Sequence, residues 1–282
     1  MNLVDSILGS AAELPPFPAV IQRVLQLMDN PQSSAREVVE VIQYDQAITA
    51  NVLRVCNSAY FSHRRPVHSL REALVRIGFN QLLEIVLNRG SAHLLAGVCP
   101  GYDLKDGELW RHSVTCALLS QIISKRLGQE PTPTHFTAAL LHDIGKVILS
   151  RFVADHFGEI SRRVQEGGRS FIAAEKEVLG IDHAELGGKI SEQWQFPKMI
   201  GSAIRYHHDP LRIGEDSEML QLIYLCDLVS MLTGIGGGAD GLSYHGHKEV
   251  MKSHHLSGKD IEQFIAQLEG RLKQVENVLT LQ

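Results

Sequence analysis

Apolar residues recur at helical spacing through almost the whole chain, and this pattern limits the fold more than any other feature. "PAVIQRVLQLMDN" puts Val20, Ile21, Val24, Leu27 and Met28 on one stripe, with Pro18 suited to a first turn. In "SAREVVEVIQ", Ser34 and Glu37 stand at capping-box spacing, and Asp45 is placed to cap the next run through Ile48, Val52 and Val55. "SLREALVRIGFNQLLEIVLNRG" continues the period with Leu70, Leu74, Ile77, Leu82, Leu83 and Val86. Strict apolar–polar alternation over six or more positions is hard to find. The expectation is an all-α chain.

Two glycine-rich stretches divide it. The first, Gly97 to Gly107, separates an N-terminal helical subdomain (1–100) from a helical core (101–232), and most of the histidines follow that stretch. The second, "TGIGGGADGLSYHGHKE" from Thr233, has no preceding strand and no Gly-Lys-Ser/Thr, so it reads as a flexible loop rather than a phosphate cradle. It opens a terminal segment (233–282) whose amphipathic helix carries Ile261, Ile265, Leu268, Leu272 and Val275 on one face. That face packs on the body or on a partner.

The net charge of -5 offers no overall basic footprint, so no nucleic-acid partner is expected. No run approaches the ~20 apolar residues that span a bilayer, and the first residues lack the basic start of a signal peptide. Four scattered cysteines, Cys56, Cys99, Cys116 and Cys226, form no CxxC pair, and three sit in apolar helical patterns. The expectation is a cytoplasmic, reduced protein that needs neither membrane nor disulfide.

Histidine is the unusual component, at fourteen residues. His112 opens a mostly apolar helix, and Glu108 lies four residues earlier on the same face. His142 and Asp143 interrupt "TAALLHDIGKVILSRF" about 100° apart around a helix, so they converge only if the helix breaks there or the bound object is wide. Gly145 suits such a break or a close approach. His183 precedes Gly187 and Gly188, which permit close packing, and His207 and His208 are adjacent. Alone, His112 reads as a core or helix-end residue, His183 as a loop residue and the double histidine as a solvated helix end. Asp227 is more telling. It is enclosed by Ile223, Tyr224, Leu225, Cys226, Leu228 and Val229, where a carboxylate must be paired, neutralised or metal-bound. Together these are imidazole and carboxylate donors suited to Fe, Mn, Zn or Ni, with no thiolate required.

The order His112, His142-Asp143 with Gly145 and Lys146, His183, His207-His208, Asp227 resembles the HD phosphohydrolase superfamily, and in particular its HD-GYP phosphodiesterase branch. From Leu14, "LPPFPAVIQRVLQLMDN", "NSAYF" and "SLREAL" are similar to the HDOD domain, the HD-related output domain of bacterial signalling proteins. The resemblance runs to about Asp227. It implies an all-helical signalling or scaffolding module, many relatives of which have lost the metal ligands that this sequence keeps. No Gly-Tyr-Pro follows His207-His208, which weakens any case for cyclic diguanylate hydrolysis.

Two readings follow from the resemblance. In one, the chain is a signalling output protein with a metal site of two divalent ions, Fe or Mn before Zn or Ni, and a protein partner. "SHRRPVH" (62–68) is then a candidate contact, although a solvated loop explains it as well. In the other, it is a metal-dependent phosphohydrolase acting on a phosphate-containing small molecule such as a nucleotide or cyclic dinucleotide. Asp143 would then bridge the ions, and Lys146 would stabilise charge on the phosphoryl oxygens. Glu108 could serve a third ion. His245, His247, His254 and His255 are expected to face solvent.

Overall fold

Polar caps begin the helices much as their spacing predicts. Ser34 accepts from the Glu37 backbone N–H, and the Glu37 carboxylate accepts from the Ser34 N–H at 2.7 Å. Asp45 accepts from Ile48 N–H at 2.9 Å. Pro18 stands one position ahead of its helix rather than within the first turn. The computed structural model describes residues 2–14, 17–58, 61, 66–236, 238–241 and 248–279. Their helices are α1 (Leu3–Ala12), α2 (Ala19–Asp29), α3 (Ala35–Ile42), α4 (Gln46–Cys56), α5 (Leu70–Ile77), α6 (Phe79–Leu95), α7 (Glu108–Arg126), α8 (Pro133–Leu141) and α9 (Lys146–Asp155). They continue as α10 (Phe157–Gly167), α11 (Phe171–Leu179), α12 (His183–Gln193), α13 (Lys198–Tyr206), α14 (Ser217–Leu232), α15 (Gly238–Gly241), α16 (Lys248–Ser253) and α17 (Gly258–Leu279). Among the described residues there is no sheet: the fold is all-α, as the periodicity requires.

Helix α7 lies at the centre, buried along most of its length and packed by α6, α8, α14 and α17. The amphipathic face of α17 is therefore covered by the body: Phe264, Leu268 and Leu272 are buried, with Ile261, Ile265 and Val275 packed beside them. Helix α1 crosses to α9 and α12, so the first helix of the N-terminal half touches two helices that carry site residues. The Gly97–Gly107 stretch is a tight turn. Cys99 and Leu104 exchange backbone hydrogen bonds, and Gly101 presses on α9 so closely that a Cβ would overlap the Ser150 carbonyl.

Asn57, the first residue of "NSAYF", clamps the following loop by donating to Val67 O at 2.8 Å and accepting from Val67 N–H at 2.7 Å. The rest of that motif apart from Ser58 and Phe61, and 62–65 of the basic stretch, lie outside the described residues, as do 242–247 with His245 and His247. All four cysteines are buried, and none is in a disulfide. Among the described residues no helix is long and apolar enough to cross a membrane.

Candidate metal centre

The chain breaks helix at the His-Asp pair. Helix α8 ends at Leu141, His142 is its C-cap, and α9 starts at Lys146, leaving Asp143 in the turn between them. Gly145 is obligatory there, because a Cβ would overlap the His183 carbonyl oxygen and lie 2.8 Å from Gly187 N. The turn is thus seated on the first turns of α12, and Gly187 completes the fit: a Cβ on it would come 2.7 Å from Ile204.

Four imidazoles are oriented by what their Nδ1 atoms meet. His142 Nδ1 donates to Ala139 O and His207 Nδ1 to Ile204 O, both at 2.8 Å, each histidine capping the helix before it. His183 Nδ1 lies 2.8 Å from Glu175 Oε2, and His112 Nδ1 lies 3.0 Å from Ser230 Oγ and 3.2 Å from Ile235 O. Their Nε2 atoms are left facing a common centre, the arrangement that prepares an imidazole for metal ligation.

Asp143 occupies that centre. Its Oδ2 is 3.5 Å from both His112 Nε2 and His142 Nε2, while Oδ1 is 3.5 Å from His183 Nε2 and 3.6 Å from His207 Nε2. Asp227, from α14, places Oδ1 3.2 Å from His112 Nε2 and 3.8 Å from His142 Nε2. His208 adds Nε2 at 3.0 Å from His183 Nε2. Six of these seven side chains are buried, and only His208 is partly exposed. His142 Nε2, His207 Nε2, Asp143 Oδ1 and Asp227 Oδ1 are buried without a hydrogen-bond partner. Four orphaned ligand-type atoms around one centre are costly in a dry core and fit a bound cation.

The electrostatics agree. Burial pushes the Asp143 carboxyl up, but Lys146 and His142 outweigh it and hold the group well below the usual carboxylate range. Burial acts likewise on Asp227 and is overcome by the imidazoles of His112 and His142 beside it, which hold the group well below the usual carboxylate range. Against burial, Glu175 raises His183 to about 9. His207 is lowered, and His208 well lowered, first by burial and then, for His208, by the neighbouring imidazoles. Lys146 Nζ bonds Asp143 Oδ2 at 2.7 Å and stands 5.3 Å from the centre of the Tyr102 ring.

All seven expected ligands therefore meet at one place, and Lys146 joins them. Glu108 does not: its carboxylate accepts from Lys105 N–H at 2.7 Å in the turn before α7 and belongs to none of the ligand groups. His254 is half-buried against Gln221 at 2.6 Å rather than free in solvent, whereas His255 is exposed. The glycine stretch is no remote loop where it begins. Gly236 lies against His112, where a Cβ would come 2.5 Å from that residue's own Cβ.

Sequence reasoning misses Glu175, fully buried in "FIAAEKEVL", although the argument used for Asp227 applies to it equally. Its second oxygen accepts from the Tyr102 hydroxyl at 2.5 Å. Sequence reasoning also misses Cys116. Its thiol, pushed up to about 12 by burial, lies among His112, His142 and Asp227.

Over residues 14–210 the chain matches the model of the HDOD domain. It belongs to the HDOD family. The HDOD fold is shared at 24% identity with an HDOD domain protein of unknown function from Geobacter sulfurreducens (TM-score 0.73, covering 99% of this chain and 100% of that one). It is shared at the same identity with a candidate phosphohydrolase from Shewanella amazonensis (TM-score 0.71, covering 97% and 98%). A candidate signal transduction protein from Marinobacter aquaeolei aligns at a TM-score of 0.74 and 24% identity, over 98% of this chain and 60% of its own. A protein of Treponema pallidum is 21% identical over 209 residues, 74% of this HDOD chain, which spans only 40% of that relative's length.

Proposed function

We propose that this HDOD protein is a signalling output module whose core would hold two divalent metal ions through the two sets of donors that face Asp143. The observation that carries the reading is the division of the Asp143 carboxylate, Oδ2 toward His112 and His142 and Oδ1 toward His183 and His207. Asp227 would complete the first set and His208 the second. Iron or manganese suits these imidazole–carboxylate donors best, with zinc or nickel next. When bound, such ions supply Lewis acidity and an activated water near neutral pH. The chain itself fixes the rings through their Nδ1 partners, offsets the Asp143 charge with Lys146 and keeps bulk water away from all ligands but His208.

That closure favours signalling over turnover, since catalytic metal sites keep an open position and structural ones do not. The N-terminal helices would carry the output to a protein partner. Helix α1 rests on α9 and α12, which begin at Lys146 and His183, so the metal state has a direct mechanical route to that half.

One observation supports the phosphohydrolase reading as the second choice. His208 reaches a cleft of about 620 Å³ whose rim includes Lys176, Lys189, Arg205 and Arg212. Acidic groups share that rim: Glu192 holds Arg205 at 2.8 Å, and Glu185 holds Lys176 at 3.2 Å. In this reading Lys146 would meet the phosphoryl oxygens and a phosphate-containing small molecule would enter past His208.

Metal analysis of the purified protein, turnover on a panel of nucleotides and cyclic dinucleotides, and hydrogen exchange of α1 to α4 with and without metal test both readings. Stoichiometric metal, no turnover and metal-dependent protection of those helices supports signalling. Turnover establishes the hydrolase, and a protein that takes up no metal removes both.

A further inference from the structure

The donors around His112 include one that the resemblance does not supply. We infer that Cys116 is itself a metal ligand, forming with His112, His142 and Asp227 a mixed nitrogen, sulfur and oxygen site for a thiophilic divalent ion. This rests on reading the cluster as a metal centre. His112 and Cys116 stand four residues apart on α7, so their side chains share a face. Cys116 Sγ is 3.7 Å from His112 Nε2, and ligand atoms of all four residues lie within 4.8 Å of one another. Tetrahedral zinc with ordinary Zn–S and Zn–N bonds separates those two donors by about 3.6 Å, so the helix already presents the pair at ligating distance.

The position is not defined by the thiol alone. His142 Nε2 and Asp227 Oδ1 are buried without partners and belong to the same group of four. His112 completes the group with a side chain that is 0% exposed. Cys116 is in no disulfide, so its sulfur is available. On metal entry the S–H bond breaks, a sulfur–metal bond forms and the proton leaves to solvent. No cysteine belongs to the other set, His183, His207 and His208. The two halves of the centre therefore differ in softness, and the Cys116 half prefers zinc, cobalt or ferrous iron over manganese or magnesium.

Cobalt(II) titrated into the metal-stripped chain separates the possibilities. The expected result is a near-ultraviolet thiolate-to-cobalt charge-transfer band that saturates at one equivalent. It is lost in Cys116→Ser and kept in Cys226→Ser, which alters the neighbouring buried thiol. Cobalt uptake by calorimetry with no such band overturns Cys116 ligation and leaves the metal centre standing, even if the Cys116 variant does not fold. A band that survives in Cys116→Ser, or disappears only in Cys226→Ser, overturns it as well. No cobalt uptake by the wild-type chain overturns the metal reading itself.

Discussion

Lys146 sets its Nζ 2.7 Å from Oδ2 of Asp143, with both side chains only 1% exposed. The contact spans the break between α8 and α9, so the lysine opening one helix neutralises the carboxylate left in the turn. A buried carboxylate without its cation is strongly destabilising, and here the lysine stands where positive charge is needed whether or not metal is bound.

Lys146→Met keeps most of the volume and removes the charge. The metal-free protein is expected to lose about 3–5 kcal/mol, the usual consequence of breaking one side of a buried pair. The metal-loaded protein should lose clearly less, because bound cations face the same carboxylate. Urea unfolding of both forms checks this, and equal losses would count against a metal beside Asp143.

Gly145→Ala should be among the most damaging small substitutions in the chain. Its Cβ would meet backbone on α12, the His183 carbonyl and Gly187 N, and backbone cannot move aside as a side-chain tip can. A loss of about 3 kcal/mol or more is expected, at the upper end for overpacking. Gly9→Ala is the control: nothing lies within 4 Å of a Cβ there, and it sits inside α1. Thermal melts should show that variant up to about 1 kcal/mol more stable. A harmless Gly145→Ala would contradict the seating of the His-Asp turn on α12.

Asp227 and Glu175 mark the limits of what the amino-acid order alone reveals. Helical periodicity declares the all-α fold because each buried face repeats along its own segment. The candidate ligands stand out because polar groups are rare in such runs, Asp227 most clearly. Glu175 meets the same criterion but lies between Lys176 and a pair of alanines, so its burial depends on α11 packing toward α12. Ser230 and the Ile235 carbonyl, which meet the His112 ring, and Tyr102, which donates to Glu175, come from distant segments and leave no local trace. Glu108 misleads for the opposite reason. It shares a face with His112, but a side chain at a helix start finds nearer backbone N–H groups to accept from.

Glu175 governs a pH dependence whose sign is set by His183. The folded His183 is raised to about 9, burial opposing and the Glu175 carboxylate prevailing. A raised histidine contributes stability that is fully present below its unfolded value near 6.5 and is lost as pH rises through about 9. The metal-free protein should therefore weaken between these limits, by about 3 kcal/mol at most. Glu175→Gln removes the charge that raises His183 and should flatten this alkaline limb. Denaturant midpoints from about pH 6 to about pH 9.5 test it, and an unchanged slope in Glu175→Gln would reject the assignment.

Metal stoichiometry separates the roles of the carboxylates. Asp143 faces donors on both sides, whereas Asp227 faces only His112 and His142 and His183 only the opposite set. Asp227→Ala and His183→Ala should each retain about half of the wild-type metal, since each leaves one donor set intact. Asp143→Ala removes a ligand from both sets and should retain less than either. A bound ion also stabilises the folded state, by about 2.7 kcal/mol at a hundredfold excess over its dissociation constant, so each lost ion should appear as a smaller metal-induced rise in Tm. Elemental analysis paired with melts, with and without chelator, gives both readouts on the same samples. Equal metal loss in all three variants would mean a single ion shared by every ligand, and would replace the two-ion arrangement with one centred on Asp143.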